Sequence, residues 1–190
     1  EKIVWVKGMK GSERRLAFIR GDLNATRENP AAYKKHVLPV IKKGDAYTWF
    51  HHGLLNVNTG EHDADPNFTE PTFEALYEKM HGVAPSGDFY DAYKLVKSWR
   101  DALQKAFWVN KGNPNKDKLV AALDKMIKDP ESVAAIEKKV GKYEWRTGAE
   151  GDAAVRTLKS FITPGALKTL SDFGREQLGF NAIYKESLTK

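Results

Sequence analysis

One stretch constrains this chain more than any other: Lys7 to Pro30, KGMKGSERRLAFIRGDLNATRENP. Gly11 and Gly21 frame a short helix, Ser12 to Arg20, whose Leu16, Ala17 and Ile19 share one apolar face. Ser12 has the hydroxyl of a helix cap. Asp22 to Thr26 reads as a short strand, and its end leads into a polar cluster, Thr26, Arg27, Glu28 and Asn29. Pro30 follows at once and opens the next helix, where a proline is well tolerated. A strand end feeding a helix N-terminus is where an α/β protein usually holds an anion, because backbone N–H groups there lack partners within the helix.

Ile3 to Val6 (IVWV) is wholly apolar and short, which suits a buried parallel strand. The helix from Pro30 runs to about Lys43, with Tyr33, Val37, Leu38 and Ile41 at helical spacing. Pro39 should kink or break it, and Gly44 is placed to end it. Ala46 to His51 (AYTWFH) reads as a third strand. Turn-formers dominate Gly53 to Pro71, which reads as a loop or a connection between lobes. Thr72 to His81 is a short helix. Asp88 to Lys105 is a strong one, with Phe89, Tyr93, Val96, Trp99 and Leu103 at three- and four-residue intervals. After a strand at Ala106 to Asn110, the pattern is helical at Asp117 to Lys128, Glu131 to Val140 (closed by Gly141), Asp152 to Ile162 and Pro164 to about Leu178. The expected organisation is an α/β ligand-binding lobe segment over residues 1–60, a loop and short connecting helix over 61–87, and a helix-rich part with one strand over 88–190 that packs against the lobe.

The chain has 190 residues, 41% of them hydrophobic, and a formal net charge of +6. That is enough apolar material for a core. The basic excess is dispersed. Its densest part, Lys34, Lys35, Lys42 and Lys43, reads as a solvated helix face, and without an arginine-rich run or an RNA-binding aromatic signature no nucleic-acid partner is expected. The absence of Cys excludes disulfides, thiol catalysis and Cys-ligated metals. No Gly-x-Gly-x-x-Gly, Walker loop or Gly-x-Ser-x-Gly elbow is present. His51 and His52 would point to opposite faces of a strand and so cannot share a metal. His62, Asp63 and Asp65 carry ligand atoms but read as a solvated loop. Trp99 and Trp108 read as core. No catalytic residue, metal or cofactor is assigned. At the junction, Asn29 or Thr26 could simply cap the helix while Glu28 pairs with Arg27. Alternatively, Arg27 serves as a bidentate carboxylate clamp, helped by N–H groups near Ala31 and Ala32.

KIVWVKGMKGSERRLAFIRGDLNATRENPAAYKKHVLPVIKKGD resembles the middle of the tripartite tricarboxylate transporter substrate-binding proteins, the TctC or Bug family. The resemblance lies in Val6-Lys7-Gly8-Met9-Lys10-Gly11, Leu16 to Ile19, Gly21-Asp22-Leu23-Asn24 and Lys42-Lys43-Gly44. It continues in Glu70-Pro71-Thr72-Phe73-Glu74-Ala75-Leu76, in Ala106 to Asn113 and in Lys118 to Pro130, and so spans roughly residues 2–145. The departures are Leu23-Asn24 where the family has an acidic position, Arg27-Glu28-Asn29 in place of a small polar loop, a longer Val83 to Lys105, and the helical tail from Asp152. The family's N-terminal half has no counterpart here, so the chain is expected to be a partial one.

The resemblance implies a lobe like that of a type II periplasmic-binding protein, and a non-catalytic receptor in the periplasm with its signal peptide removed. Such a receptor captures a small carboxylate or similar metabolite and delivers it to the permease subunits of a membrane transporter. Its ligand-binding positions here would be Lys7, Gly8, Gly11 and Ser12 in one loop and Asn24, Thr26, Arg27, Glu28 and Asn29 at the junction, with the missing half as a further partner. The alternatives are an α/β enzyme or regulatory domain using the Asn24–Asn29 junction, and a basic helical interaction module.

Overall fold

In the computed structural model, residues 3–103, 106–140 and 145–179 are described. The expected end of the long helix at Lys105 and the closing Gly141 fall outside them. The chain divides into two compact units: one holds the residues up to Thr48 and the end of a later helix from Glu137 on, and the other holds Trp49–Ile136 and the described residues from 145 onward.

In the first unit, α1 (Gly11–Ile19) is followed by α2 (Pro30–Ala32), a π-helical segment (Tyr33–Val37) and α3 (Leu38–Lys42). Pro39 accounts for the middle of this run. It has no N–H to donate and its ring crowds the preceding turn, so the helix widens just before it rather than breaking. The Leu38 N–H accordingly reaches back five residues to the Tyr33 carbonyl. Gly44, at φ 84°, ends the run, with its own N–H on Ile41 and that of Asp45 on Val40.

The second unit contains α4 (Phe73–His81), α5 (Asp88–Leu103), α6 (Lys116–Lys128), α7 (Pro130–Val140, whose end belongs to the first unit), α8 (Gly148–Ser160) and α9 (Pro164–Leu178). Threonine side chains start two of these helices. Thr72 Oγ1 accepts the Ala75 N–H at 3.1 Å, and Thr163 Oγ1 accepts that of Ala166 at 3.1 Å, with Pro164 in the first turn. Glycines in the left-handed conformation, Gly82 and Gly179, close both. The core forms where α5 meets α9, around Ala92, Leu95 and Ala166, with Trp99, Phe161, Leu167 and Leu170 packed on it. Leu158 of α8 is fully buried nearby, and its carbonyl accepts the Trp99 indole N–H at 3.2 Å. The small residues matter at this contact: a Cβ on Gly165 would lie 2.6 Å from Asp88 Oδ1.

The structure is mostly helical with one small sheet, so the α/β description holds only coarsely. That sheet is an antiparallel pair, β1 (Leu54–Leu55) and β2 (His62–Asp63), with Leu54 opposite Asp63. It lies in the segment expected to be loop. The Asn56 side chain makes its turn, accepting the N–H groups of Asn58 at 3.0 Å and Thr59 at 3.3 Å. Conversely, the strands expected at Ile3–Val6, Asp22–Thr26 and Ala106–Asn110 are not in any sheet among the described residues. Of the Ala46–His51 strand, only His51 pairs, in an isolated parallel bridge with Thr72. Strand propensity is realised only against a neighbouring edge, and these runs meet none among the described residues. Ile3 and Val4 are instead 76% and 84% exposed, and Phe107 and Trp108 are 69% and 73% exposed. The core role expected for Trp108 is therefore not met, whereas Trp99 fills it.

Leu158→Ala should lower unfolding free energy by about 2–5 kcal/mol, because it deletes a fully buried side chain from the α5, α8 and α9 core. Leu119→Ala, on an exposed face of α6, should stay within about 0.5 kcal/mol. Paired urea denaturation curves measure both.

Candidate ligand-binding site

The junction is built by α1 reaching back to the segment that precedes α2. Two arginines on adjacent α1 positions do this. Arg14 Nε donates to Thr26 Oγ1 at 2.9 Å, and Arg14 Nη2 donates to the Arg27 carbonyl at 2.7 Å. Arg15 Nε donates to Glu28 Oε1 at 3.2 Å, and Arg14 Nη2 lies 3.8 Å from the same oxygen. The Glu28 side chain is only 6% exposed, so this ion pair is better shielded than a surface one.

The nine expected site residues separate under this geometry. Thr26, Glu28 and Asn29 are spent on the fold: Thr26 accepts Arg14, Glu28 is held by both arginines, and Asn29 Oδ1 caps α2 by accepting the Ala32 N–H at 3.0 Å. Glu28 therefore does not pair with Arg27, and the Ala32 N–H is not available to a ligand. The α1 start also differs. Lys10 occupies the cap position, its N–H donates to the Glu13 carboxylate at 2.9 Å, and Ser12 sits inside the first turn behind Gly11 without capping it. Lys7, Gly8, Gly11, Ser12, Asn24 and Arg27 are exposed, and Gly8 holds a left-handed φ of 85°. Among the described residues the Arg27 guanidinium has no hydrogen-bond or ion-pair partner. The junction is thus one carboxylate set against two engaged guanidinium groups and a third, Arg27, facing water.

The second unit holds a polar cluster for which the sequence reading assigned no role. His62, on β2, is fully buried as a side chain. Its Nδ1 lies 3.0 Å from Glu74 Oε1 on α4, and its Nε2 lies 3.1 Å from Ser98 Oγ on α5. Tyr90 also donates to Glu74 Oε1, at 3.3 Å. Glu74 Oε2 is buried and without a partner among the described residues. His52 Nδ1 meets the Tyr93 hydroxyl at 2.9 Å, and His51 stacks on Phe68 with centroids 5.2 Å apart. Lys97 Nζ donates to the Gly53 carbonyl at 3.2 Å and pairs with Asp101 one turn on. Asp65, expected in a solvated loop, is 4% exposed and folds onto Asn67. No group of three metal-ligating side chains occurs among the described residues.

The electrostatics follow from burial. Burial pushes His52 down to about 4, with Lys97 adding to the effect, and pushes Lys97 down to about 8 against the pull of Glu74 and Asp65. Burial is the largest single influence on Glu74 and opposes its ionisation, yet the hydrogen bonds from His62, from the Glu74 main-chain N–H and from Tyr90, with the nearby imidazole, together outweigh it and hold the carboxyl below its ordinary range. Burial and the nearby Glu74 charge raise both Tyr90 and Tyr93.

Ser98, His62 and Glu74 stand in the order of a hydrolase triad: hydroxyl to Nε2, Nδ1 to carboxylate. Three features keep this arrangement from acting as one. Ser98 is 0% exposed, so no substrate carbonyl reaches its Oγ. It lies inside α5, where backbone N–H groups are committed to the helix and cannot form an oxyanion hole. His62 is sealed from water on all sides. The set is a hydrogen-bonded strut that ties hairpin, α4 and α5 together.

The signal for it in the sequence was a polar stripe. Tyr90, Tyr93, Lys97 and Asp101 recur along one side of the helix at three- and four-residue steps. Nothing in the chain order brings His62 or Glu74 opposite them.

No family model matches this chain, and neither does any curated protein or solved structure.

Ser98→Ala leaves His62 Nε2 buried without a partner and should cost about 1–3 kcal/mol. Urea unfolding should show a lower midpoint at unchanged slope, and a fluorophosphonate probe should label neither protein.

Proposed function

We propose that this chain is the carboxylate-holding part of an extracytoplasmic solute-binding receptor, and that the α1–α2 junction is its ligand site. The observation that carries the reading is the exposed, uncommitted Arg27 guanidinium beside the Arg14–Arg15–Glu28 cluster. The cluster holds the backbone of residue 27 rigidly, since Arg14 grips its carbonyl. A carboxylate arriving there meets a planar donor fork whose main chain is already fixed, which lowers the ordering cost of binding. Lys7, Gly8, Gly11, Ser12 and Asn24 are exposed and complete the candidate surface.

The exposed apolar runs Ile3–Val6 and Phe107–Val109 support the rest of the reading. Apolar strand-like segments of this kind suit a sheet completed by further strands, as in a type II periplasmic-binding lobe whose other half lies elsewhere. On this reading the receptor is non-catalytic, works in the periplasm without a cofactor, and passes its ligand to membrane permease subunits. The enzyme alternative at the same junction needs a free general base, and Glu28, the carboxylate there, is held by two arginines.

A thermal-shift panel of mono-, di- and tricarboxylates tests the reading, with the chain alone and together with any natural flanking segment. Flat melting temperatures across the panel in both settings sink it. For a carboxylate that binds, Arg27→Ala should weaken affinity by about 10- to 100-fold, the loss of about 1.5–3 kcal/mol in charge-assisted hydrogen bonds. Arg27→Lys should fall between, because an ammonium keeps the charge but not the fork.

A further inference from the structure

The second unit carries a device independent of the junction. Residues 51–63 run as a strap across α5. At its root the main chain of His51 is fixed to the segment before α4: the His51 N–H donates to the Pro71 carbonyl at 3.0 Å and the His51 carbonyl accepts from Phe73 at 2.9 Å. Further along, the Leu55 carbonyl accepts from Arg146 at 3.0 Å, and the Val57 carbonyl accepts from Thr157 Oγ1 at 2.6 Å. Gly53 is the pinch point between these ends. Its N–H donates to His51 Nδ1 at 3.0 Å and its carbonyl accepts from Lys97. It has φ 70°, and a Cβ there would sit 2.6 Å from the Asp63 carbonyl oxygen.

The bond to His51 dictates a protonation state. A backbone N–H can only donate, so Nδ1 must present a lone pair, and the ring carries its proton on Nε2. A second proton would have to go onto Nδ1, directly against the Gly53 N–H. Two donors would then face each other and the bond would be lost. We propose that residues 51–63 are an acid-sensitive latch: protonation of His51 expels the Gly53 amide and frees the strap from Lys97, while the helices beneath stay folded.

The surroundings of the ring set where this happens. Phe68 stacks on its face. Burial and the Lys97 ammonium from α5 oppose the cation, while Asp65, Glu70 and Glu74 favour it, and the balance lowers the His51 pKa. His52 next door is likewise held neutral by burial, Lys97, His62 and His51, with Glu74 opposing, and its partner is the Tyr93 hydroxyl. Both groups have folded pKa values below their unfolded ones. The fastening they provide is therefore present above the ordinary histidine range and is lost as pH falls below it.

Hydrogen exchange, corrected for intrinsic rates, tests this on the whole chain between about pH 7.5 and pH 5. The expected result is a roughly tenfold or larger loss of protection in peptides covering 51–63. Peptides from α5 and α9 should keep theirs. His51→Asn, whose Oδ1 can accept the Gly53 N–H but cannot be protonated, should keep the strap closed at the lower pH. His36→Asn, in the first unit, should leave the opening unchanged. Strap protection that ignores pH, opening that persists in His51→Asn, or simultaneous loss in α5 and α9 each overturns the latch. Should His51→Asn not fold, the wild-type protein decides by NMR: the His51 ring and the Gly53 amide must titrate with one midpoint, and separate midpoints reject the proposal.

Discussion

An imidazole out of reach of water organises the larger unit. Burying a polar ring is costly unless each nitrogen finds a partner, and His62 finds one on each of two helices, Glu74 on α4 and Ser98 on α5. Because both bonds must be met at once, the hairpin, α4 and α5 cannot slide past one another independently. The aromatic shell follows the same arrangement. Tyr93 packs on Phe73 with centroids 4.7 Å apart and also reaches His52 with its hydroxyl, so one side chain serves packing and hydrogen bonding together. The α5–α9 core, made largely of Ala92, Leu95 and Ala166, supplies apolar burial on the other side of the same helix.

The first unit is held differently. Ala17 is its one buried apolar residue among the described residues, and its long-range ties include the arginine contacts from α1 and the meeting of the Tyr33 and Thr48 hydroxyls at 3.0 Å. A segment fixed by guanidinium groups at a half-exposed surface suits an anion site, where charge must be near water yet positioned. A segment fixed by buried neutral imidazoles suits a response to protons, since a ring without room for a second N–H changes its bonding when it gains one. The two proposals therefore rest on different chemistry in different units, and neither requires the other.

Much of the helical part was legible from the chain alone. The periodic apolar residues of Asp88 to Leu103 and Gly44 at the end of the Pro39-containing run each act locally, through spacing or backbone freedom. The strands were not legible. IVWV and AFWVN have strand-forming composition, but whether such a run pairs depends on an edge contributed from elsewhere, and the described residues offer none. The turn-rich segment after Gly53 formed the sheet instead, because Asn56 closes a turn that brings Leu55 beside His62. At the junction, sequence proximity suggested that Glu28 meets Arg27. The α1 helix presents Arg14 and Arg15 to the same carboxylate, and a neighbour in space displaced the neighbour in sequence.

By itself, then, the sequence determined what depends on residues a few positions apart: where most helices begin and end, which faces of α5 are apolar, that no thiol chemistry exists, and that the Pro39 turn must distort. Only the tertiary structure decided which polar groups are spent and which remain available. Thr26, Glu28 and Asn29 became structural while Arg27 stayed exposed, and His62, read as part of a solvated loop, became the most enclosed ionisable side chain of its cluster. The reason is that a polar side chain's role is set by the partners that reach it in space, and those partners come from elements up to 100 residues away, as between Thr157 and Val57.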